Sequence, residues 1–256
     1  MEFTKYEHGV PCWVDVSCDD IEKSAQFYSE LFGWDVPEGD PTFGGYRNAK
    51  IDGKTVAGIA PKMDAQMPSA WSCYVKTDDI ADTTSKVEAA GGTVLAAPME
   101  VGPLGSMAFY IDPTGAVVGA WQPGLHIGAE LANVPNTFCW SELITSDVAA
   151  AKAFYASVFG WGEHSSEGPM PYTEWEVDGR TVGGAMAKPP MMPPEVPSFW
   201  NIYFAVADLD AALAKATELG ATPTMPTMDT PAGRVAGLQE PNGAAFSLIQ
   251  LAPDRH

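Results

Sequence analysis

Two carboxylate side chains occupy matching points of two similar segments and have the chemistry of proton-transfer groups. Asp15 lies in PCWVDVSC and Glu142 lies in FCWSELIT, each two residues after a tryptophan, Trp13 or Trp140. Because side chains two residues apart on a strand share one face, each acid should lie beside its tryptophan. A carboxylate that faces inward from a strand should be paired, hydrated or in use. Asp15 and Glu142 could therefore act as general bases next to a carbonyl group, or hold a cationic or hydroxylated ligand.

The segments that carry these acids belong to a repeat that covers most of the chain. PCWVDVSCDDIEKSAQFYSELFGW, from Pro11, matches FCWSELITSDVAAAKAFYASVFGW, from Phe138, at an offset of 127 residues. The match continues through IDGKTVAGIAPK and VDGRTVGGAMAK, and ends with DPTGAVVGAWQ and EPNGAAFSLIQ. We interpret the chain as a duplication, with domains at residues 1–125 and 136–256 and a Gly- and Pro-rich linker at 126–135.

Local signals predict the elements that must position the acids. Alternating apolar and polar residues indicate a first strand in each half. Asp20 and Asp147 then stand at N-cap positions, and Gly33 and Gly160 stand where a helix ends. A DG pair in each half predicts a hairpin turn. A second unit of the same kind follows in each half, so we predict an α+β fold in which each domain contains two βαβββ units.

Composition and charge exclude several classes of partner. The chain has 256 residues, of which 46% are hydrophobic, whereas single domains most often contain about 100 to 150 residues. The formal net charge of −19 at pH 7 would repel a phosphate backbone and an anionic membrane surface. We therefore expect neither nucleic acid nor a membrane as a partner.

The N-terminal stretch and the cysteines bear on the compartment. MEFTKYEHGV has no signal-peptide pattern, and no apolar run in the chain reaches the ~18 residues that span a bilayer. Cys12, Cys18, Cys73 and Cys139 form no CxxC pair, which suits a reducing compartment. We expect a cytoplasmic protein.

The FY pairs near the middle of the first helices, the FGW helix ends and the DPTG and EPNG turns resemble the vicinal oxygen chelate superfamily. That superfamily includes glyoxalase I, fosfomycin and bleomycin resistance proteins and extradiol dioxygenases. The paired CW strands and FGW ends are also similar to a two-domain actinobacterial type named as a glyoxylase or culture-filtrate antigen. The resemblance covers nearly the whole chain. It implies two tandem glyoxalase-like domains, each with a curled mixed sheet, for which we expect eight strands, that forms a cup around the site.

In metal-using members of that superfamily, four ligands come from the strands that line the cup. The matching positions in the two halves hold poor donors: Trp13, Gly58, Ser72, Gly119, Trp140, Gly184, Asn201 and Ser247. Transition metals prefer imidazole, thiolate or carboxylate ligands. The histidines lie near the termini, in the linker or in a loop, where we expect solvated surface positions: His8, His126, His164 and His256. We therefore predict no metal and no cofactor, and doubt a metal-dependent glyoxalase I reaction.

Strand alternation extends the cup lining that the resemblance implies. The predicted ligand-binding residues are Trp13, Ser72, Tyr74, Trp140, Asn201 and Tyr203, with Asp15 and Glu142 as candidate catalytic groups. The tryptophans offer flat faces for a planar group, and the glycines should leave room for it. The alternative is that both tryptophans are core residues, because aromatic side chains on a sheet face often are.

Three functions stay open at this point. The first is metal-independent binding of a small aromatic or antibiotic-like metabolite in one or both cups. The second is a glyoxalase-type lyase or isomerase that acts on a small carbonyl compound, with Asp15 and Glu142 as bases and the tyrosines as donors. The third, a structural or regulatory partner-binding module, has support only from the acidic charge. The duplication is compatible with a monomer or a homodimer.

Overall fold

The computed structural model describes residues 1–168 and 171–253. The α-helices in this part are α1 (Ile21–Phe32), α2 (Ile80–Ala89), α3 (Val148–Phe159) and α4 (Leu209–Glu218). The strands of the first half are β1 (Pro11–Cys18), β2 (Arg47–Ile51), β3 (Lys54–Pro61), β4 (Ala70–Lys76), β5 (Thr93–Glu100), β6 (Gly105–Ile111) and β7 (Val117–Pro123). Those of the second half are β8 (Phe138–Thr145), β9 (Gly162–Ser166), β10 (Tyr172–Val177), β11 (Arg180–Ala187), β12 (Phe199–Ala205), β13 (Thr222–Thr230), β14 (Gly233–Gln239) and β15 (Ala245–Leu251). None of the described helices is long and apolar enough to cross a bilayer.

Each half forms one mixed sheet. The strand order is β2-β3-β1-β4-β7-β6-β5 in the first sheet and β13-β14-β15-β12-β8-β11-β10-β9 in the second. At the centre the two units of each half meet, since β1 pairs antiparallel with β4 and β8 pairs antiparallel with β12. The predicted α+β class and the two tandem domains with mixed sheets are therefore confirmed.

The expectation of eight strands in each half is wrong for the first sheet, which has seven among the described residues. The second half places β9 at the sheet edge, whereas the segment after α1 forms only a single bridge, between Asp35 and Lys50, and a 3-10 turn at Pro41–Phe43. This segment reads DVPEGDPTFGG. Its prolines lack the N–H group that a strand ladder needs, and its glycines weaken a strand, so the ladder stops.

The predicted helix ends are confirmed. In α1 the Asp20 carboxylate accepts a hydrogen bond from the backbone N–H of Lys23, and Gly33 ends the helix at φ 72°, in the left-handed region. The same two features recur in α3 with Asp147 and Gly160. Side-chain capping and a left-handed terminal glycine are local effects, which is why the sequence predicts them without knowledge of the fold.

The two sheets share one core between their back faces. Alternate residues of the central strands, such as Val14 and Trp71 in the first half and Leu143 and Trp200 in the second, belong to a single buried cluster that spans both halves. Helix α1 contacts α4, α3 contacts α2, and β4 contacts β12. The first helix of each half thus contacts the second helix of the other half, as expected for a pseudo-twofold relation. The other face of each sheet, the cup face, points away from this core.

The FGW tryptophans also link the halves. Trp34 Nε1 donates to the backbone oxygen of Asn136 at 2.8 Å, and Trp161 Nε1 donates to that of Gly9 at 2.6 Å. Asn136 and Gly9 precede β8 and β1, the first strand of the opposite half. Each helix end therefore holds the segment that leads into the other half's central strand.

Candidate functional site

Sheet register brings the predicted residues of the first half together in one cup, which we call cup 1. Asp15 on β1 lies opposite Gly58 on β3 and opposite Ser72 on β4. Two residues earlier on β1, Trp13 lies opposite Tyr74 on β4. Since neighbouring strands are about 4.8 Å apart, all these positions fall within reach of one small group.

The second half repeats this arrangement in cup 2. Glu142 on β8 lies opposite Gly184 on β11 and Asn201 on β12. Tyr203 lies opposite Trp140. The predicted cup-facing residues therefore do converge, four in each half, on opposite sides of the molecule.

A hydrogen-bond network joins the aromatic and acidic side chains of cup 1. Trp13 Nε1 donates to the Tyr46 hydroxyl at 2.8 Å. That hydroxyl donates to Asp15 Oδ2 at 3.1 Å, and the Tyr74 hydroxyl donates to the same oxygen at 2.9 Å. The Asp15 carboxylate is thus held by two phenols, one of which is itself held by an indole.

Cup 2 contains the same network. Trp140 Nε1 donates to the Tyr172 hydroxyl at 2.9 Å. Tyr203 donates to Glu142 Oε2 at 2.8 Å, and Tyr172 is a second hydrogen-bond partner of Glu142. The duplication has therefore preserved a unit of indole, two phenols and one carboxylate in each cup.

Tyr46 and Tyr172 are the members of the network that sequence reasoning missed. They precede β2 and open β10, at equivalent places in GGYRNAKIDG and PMPYTEWEVDG. Their equivalence in the repeat was the available signal. Three glycines opposite the network also behave differently from the expectation that they leave space for a ligand.

These glycines leave room for tyrosine rings. A Cβ added to Gly58 would lie 1.9 Å from the Tyr46 hydroxyl, and one added to Gly119 would lie 2.5 Å from the Tyr74 ring. Gly184 stands in the same relation to Tyr172, at 2.0 Å. The expectation of ligand space at these points is therefore wrong, because the aromatic rings fold across the sheet and occupy it.

Burial sets the protonation of the network. Asp15 is 5% exposed, and burial raises its pKa to about 6 against the opposing effect of the Tyr74 and Tyr46 hydrogen bonds. Burial likewise raises the pKa of Glu142, again opposed by its two tyrosines. The phenols stay protonated, because burial and the nearby carboxylate both raise the pKa of Tyr74. Each cup thus presents a carboxyl group whose pKa is higher than that of a surface acid.

The residues at the metal positions that the resemblance implies do not fit a transition-metal ion. The indole N–H groups of Trp13 and Trp140 are donors engaged with tyrosines, and an indole offers no lone pair to a metal. Asn201 Nδ2 donates to Ser247 Oγ at 2.9 Å. Within residues 1–168 and 171–253, no three His, Cys, Asp or Glu side chains converge as a metal-binding group. One carboxylate per cup, already held by two phenols, is a poor ligand set.

Cup 1 is covered by a segment of the chain itself, residues 126–132, which we call the plug segment. Its His126 ring lies 4.5 Å from the Trp13 ring, at an interplanar angle of 88°, and 5.5 Å from the Trp121 ring. Trp121 Nε1 donates to the His126 backbone oxygen at 2.8 Å. Ala129 and Ala132 are buried in the same cluster. In the folded chain Trp13 is consequently only 3% exposed to solvent.

The expectation that His126 is a solvated surface residue is therefore wrong. The ring is half-buried between two tryptophans, and burial lowers its pKa to about 4. His8 is partly exposed beside Asp78, and His164 is exposed on β9. His256 lies outside the described residues.

The apolar lining of cup 2 differs from that of cup 1. Its apolar cluster consists of Tyr203, Val235 and Ile249, with side chains packed against them from the same sheet and its β13–β14 turn, namely Cys139, Trp140, Met225, Ala232 and Leu251. Trp140 and Cys139 are only half-buried. Trp140 therefore leaves accessible aromatic surface in cup 2.

Two cavities lie elsewhere on the molecule. One of about 290 Å³ is lined by residues that include Lys5 and Lys76, and one of about 530 Å³ lies between the halves and is lined by residues that include Phe27 and Leu219. The two lysines are paired with Glu7 and Asp78. Neither cavity includes a residue of the cup networks. We place the candidate site in the cups because the predicted residues and their hydrogen bonds converge there.

Comparison with known sequences identifies the family of both halves. The family model described as the Glyoxalase/Bleomycin resistance protein/Dioxygenase superfamily matches residues 12–119 and again residues 137–248. A Mycobacterium tuberculosis protein named "Putative glyoxylase CFP32" is 39% identical over 260 residues, which cover 98% of each chain. The Streptomyces peucetius "Anthracycline biosynthesis protein DnrV" is 37% identical over 265 residues, covering 97% of this chain and 95% of the relative.

Solved structures with little sequence identity share the fold. The Mn(II)-bound glyoxalase from Novosphingobium aromaticivorans superimposes with a TM-score of 0.65 at 16% identity, covering 95% of this chain and 83% of that chain. The 2,2',3-trihydroxybiphenyl 1,2-dioxygenase from Sphingomonas wittichii gives 0.65 at 15% identity, covering 96% and 92%. The protein therefore belongs to the glyoxalase/bleomycin resistance protein/dioxygenase superfamily, with both of its halves.

Proposed function

We propose that the protein binds a small, planar aromatic metabolite in a sheet cup and needs no metal ion to do so. The observation that carries this proposal is the indole, phenol and carboxyl network that stands where metal-using relatives of the fold carry ligands. An aromatic wall with a few convergent polar groups is the usual anatomy of a small-molecule site. Trp140 supplies the wall in cup 2, and Tyr203, Asn201 and Glu142 supply the polar groups, with Trp13, Tyr74, Ser72 and Asp15 as their counterparts in cup 1.

The relatives support an antibiotic-like ligand. The Streptomyces peucetius relative, 37% identical over 97% of this chain, is named for the biosynthesis of anthracyclines, which are planar polycyclic aromatic compounds. A tryptophan that contacts such a ring contributes about 0.5 to 1.5 kcal/mol beyond the burial of apolar area. A hydroxyl group on the ring could pair with the carboxyl group or with the Asn201 amide.

Titration of the purified protein with a panel of hydroxylated planar aromatics tests the proposal. We expect saturable binding by calorimetry or by quenching of tryptophan fluorescence, unchanged after treatment with a chelator. Trp140→Ala should weaken binding, whereas Glu142→Gln should change the preference for charged or hydroxylated compounds with a smaller effect on stability. Binding that Trp140→Ala leaves unchanged, together with a much lower melting temperature, would identify Trp140 as a core residue.

A glyoxalase-type lyase or isomerase is the second candidate, favoured by the buried carboxyl groups. A carboxylate whose pKa is raised toward neutrality can remove a proton from the carbon next to a carbonyl group, and a nearby phenol can donate to the carbonyl oxygen. Asp15 with a pKa of about 6 and Glu142 with a raised pKa have this character. The name of the Mycobacterium tuberculosis relative, which calls it a glyoxylase, also supports this second candidate function. Turnover of a methylglyoxal hemithioacetal by chelator-treated protein, lost in Glu142→Gln, would support this function, and no turnover with or without added metals would exclude it.

A further inference from the structure

We infer that cup 2 alone takes an external ligand, and that this ligand is an uncharged planar ring with an N–H or O–H donor, seated on Trp140 as His126 is seated on Trp13. This inference rests on the proposed function and specifies its site and its ligand. It follows from the difference between two cups that share one network.

The plug segment shows what kind of group fits against this network. The His126 ring approaches Trp13 edge to face, with centroids 4.5 Å apart and an interplanar angle of 88°. This is a favoured geometry for aromatic pairs, because the positive edge of one ring meets the negative face of the other. The first cup is thus filled by a planar ring that the chain supplies itself.

The plug segment also pairs with the backbone of the cup. The backbone N–H of Ala129 donates to the Cys12 oxygen at 2.8 Å. Cys12 stands at an irregularity of the β1–β4 ladder, where the register shifts between Pro11 and Trp13. An unpaired bulge residue has a carbonyl group available for a partner outside the ladder.

Cys139 has the same position in cup 2. The β8–β12 register passes from Trp140 directly to Phe138, so Cys139 is the residue skipped. Apart from strand-ladder bonds, no described residue donates a backbone hydrogen bond to its carbonyl group. A ligand with a donor beside its ring could therefore take the place that Ala129 has in cup 1.

The remaining lining argues for a neutral ligand with polar substituents. Glu142 is the acid of the cup, but it is only 8% exposed and its Oε2 already accepts a hydrogen bond from Tyr203, so it has little free surface to offer a cation. The chain's net charge of −19 disfavours an anion. Ile249 has the position in cup 2 that Trp121 has in cup 1, so this part of the cup 2 lining is aliphatic. The Asn201–Ser247 pair supplies polar contacts.

A matched series of anthraquinones tests the ligand chemistry. The probes are 2-aminoanthraquinone, which is neutral and carries an N–H donor, anthraquinone, which lacks the donor, and anthraquinone-2-sulfonate, which is anionic. Calorimetry with the full chain should give one site for the amino compound, weaker binding of anthraquinone and the weakest binding of the sulfonate. Tightest binding of the sulfonate would overturn the inferred ligand class.

The location is tested with wild-type protein, so that no variant has to carry the result alone. In a ¹H–¹⁵N spectrum of protein labelled in its tryptophans, the indole signal of Trp140 should shift with 2-aminoanthraquinone, and that of Trp13 should not. Trp140→Phe and Trp13→Phe assign the two signals. Trp140→Ala should weaken the affinity by about tenfold. Phe43→Ala, at an exposed aromatic residue outside the apolar clusters of both cups, is the control that should leave it within about twofold.

The outcomes separate this inference from the proposed function. Two sites per chain, or a shift of Trp13 with Trp140 unmoved, would overturn the assignment to cup 2 and leave small-molecule binding intact. If no probe binds and no indole signal shifts, both this inference and the aromatic ligand of the proposed function are wrong.

Discussion

The hydroxyl of Tyr172 occupies the space directly above Gly184, so that a Cβ on this glycine would lie 2.0 Å from the hydroxyl oxygen. Tyr172 can reach Glu142 and Trp140 because its ring crosses the sheet at a residue without a side chain. Gly58 has the same relation to Tyr46 in the other half, at 1.9 Å. In both halves the glycine is therefore a structural requirement of the hydrogen-bond network.

Gly184→Ala should displace the Tyr172 ring and break the network of cup 2. We expect a loss of about 1 to 3 kcal/mol in the free energy of unfolding, because a β-carbon forced into occupied space strains a packed site. Gly162→Ala is the matched control, since its Cβ would meet no atom closer than 3.7 Å. Denaturant unfolding of both variants measures the difference. Equal stability of the two variants would contradict this account of the glycine.

Tyr172→Phe should leave both the Trp140 indole N–H and the Glu142 carboxyl group without one partner. Buried groups that lose a hydrogen bond cost about 1 to 3 kcal/mol each when no water replaces it. Because the Tyr172 hydrogen bond lowers the pKa of Glu142, its removal should raise that pKa further. Carboxyl titration by NMR, compared with Tyr46→Phe in which Glu142 should be unaffected, measures the effect. An unchanged Glu142 titration in Tyr172→Phe would show that the hydroxyl does not act on the carboxyl group.

The pH dependence of stability should contain two opposing contributions from cup 1. His126 has a folded pKa of about 4, below the ordinary value of about 6.5. Between these values the unfolded chain binds more protons, so the contribution of His126 is present above about pH 6.5 and is lost as the pH falls toward 4. Asp15 has a folded pKa of about 6, above its ordinary value of 3.8. The folded chain then binds more protons, and the Asp15 contribution is lost as the pH rises through 6.

Asp15→Asn should therefore make the loss of stability between pH 6.5 and 4 steeper, whereas His126→Gln should make it shallower. The upper limit for His126 is about 3 kcal/mol, from about 1.4 kcal/mol per unit of pKa shift. Chemical denaturation across this range compares each variant with the parent chain, so that contributions of other buried acids cancel. A steeper curve for His126→Gln would mean that the buried ring is not held neutral.

Metal analysis of the purified protein should find no stoichiometric Zn, Ni, Fe or Mn held at the four-strand positions. The reason is the donor set, in which indole, glycine, serine and asparagine replace imidazole and carboxylate at all eight positions. About one ion per cup, whose removal changes the Trp13 or Trp140 indole signals, would overturn this prediction. Tyr203→Phe, which frees Glu142 Oε2 from one donor, is the control for metal binding by the lone carboxylate.

Local features of this fold could be predicted because they depend on neighbours in the chain. Asp20 caps a helix through a residue three positions away, and Gly33 ends that helix through its own backbone freedom. Strand alternation placed Trp13 and Asp15 on one face, and the repeat transferred each inference to the second half. The sequence by itself thus determined the duplication, the element order apart from the strand that is missing after α1, and those cup-facing residues that lie on the central strands.

The tertiary structure decided what those cups contain. Tyr46 reaches Asp15 from 31 residues along the chain, and His126, which follows β7, reaches Trp13 on β1, two strands away. Such contacts depend on how the sheets curl and on where the linker runs, and no period or spacing in the sequence carries that information. The same reason explains why the two cups differ: their networks come from the repeat, whereas the plug segment lies between the repeats and packs on only one of them.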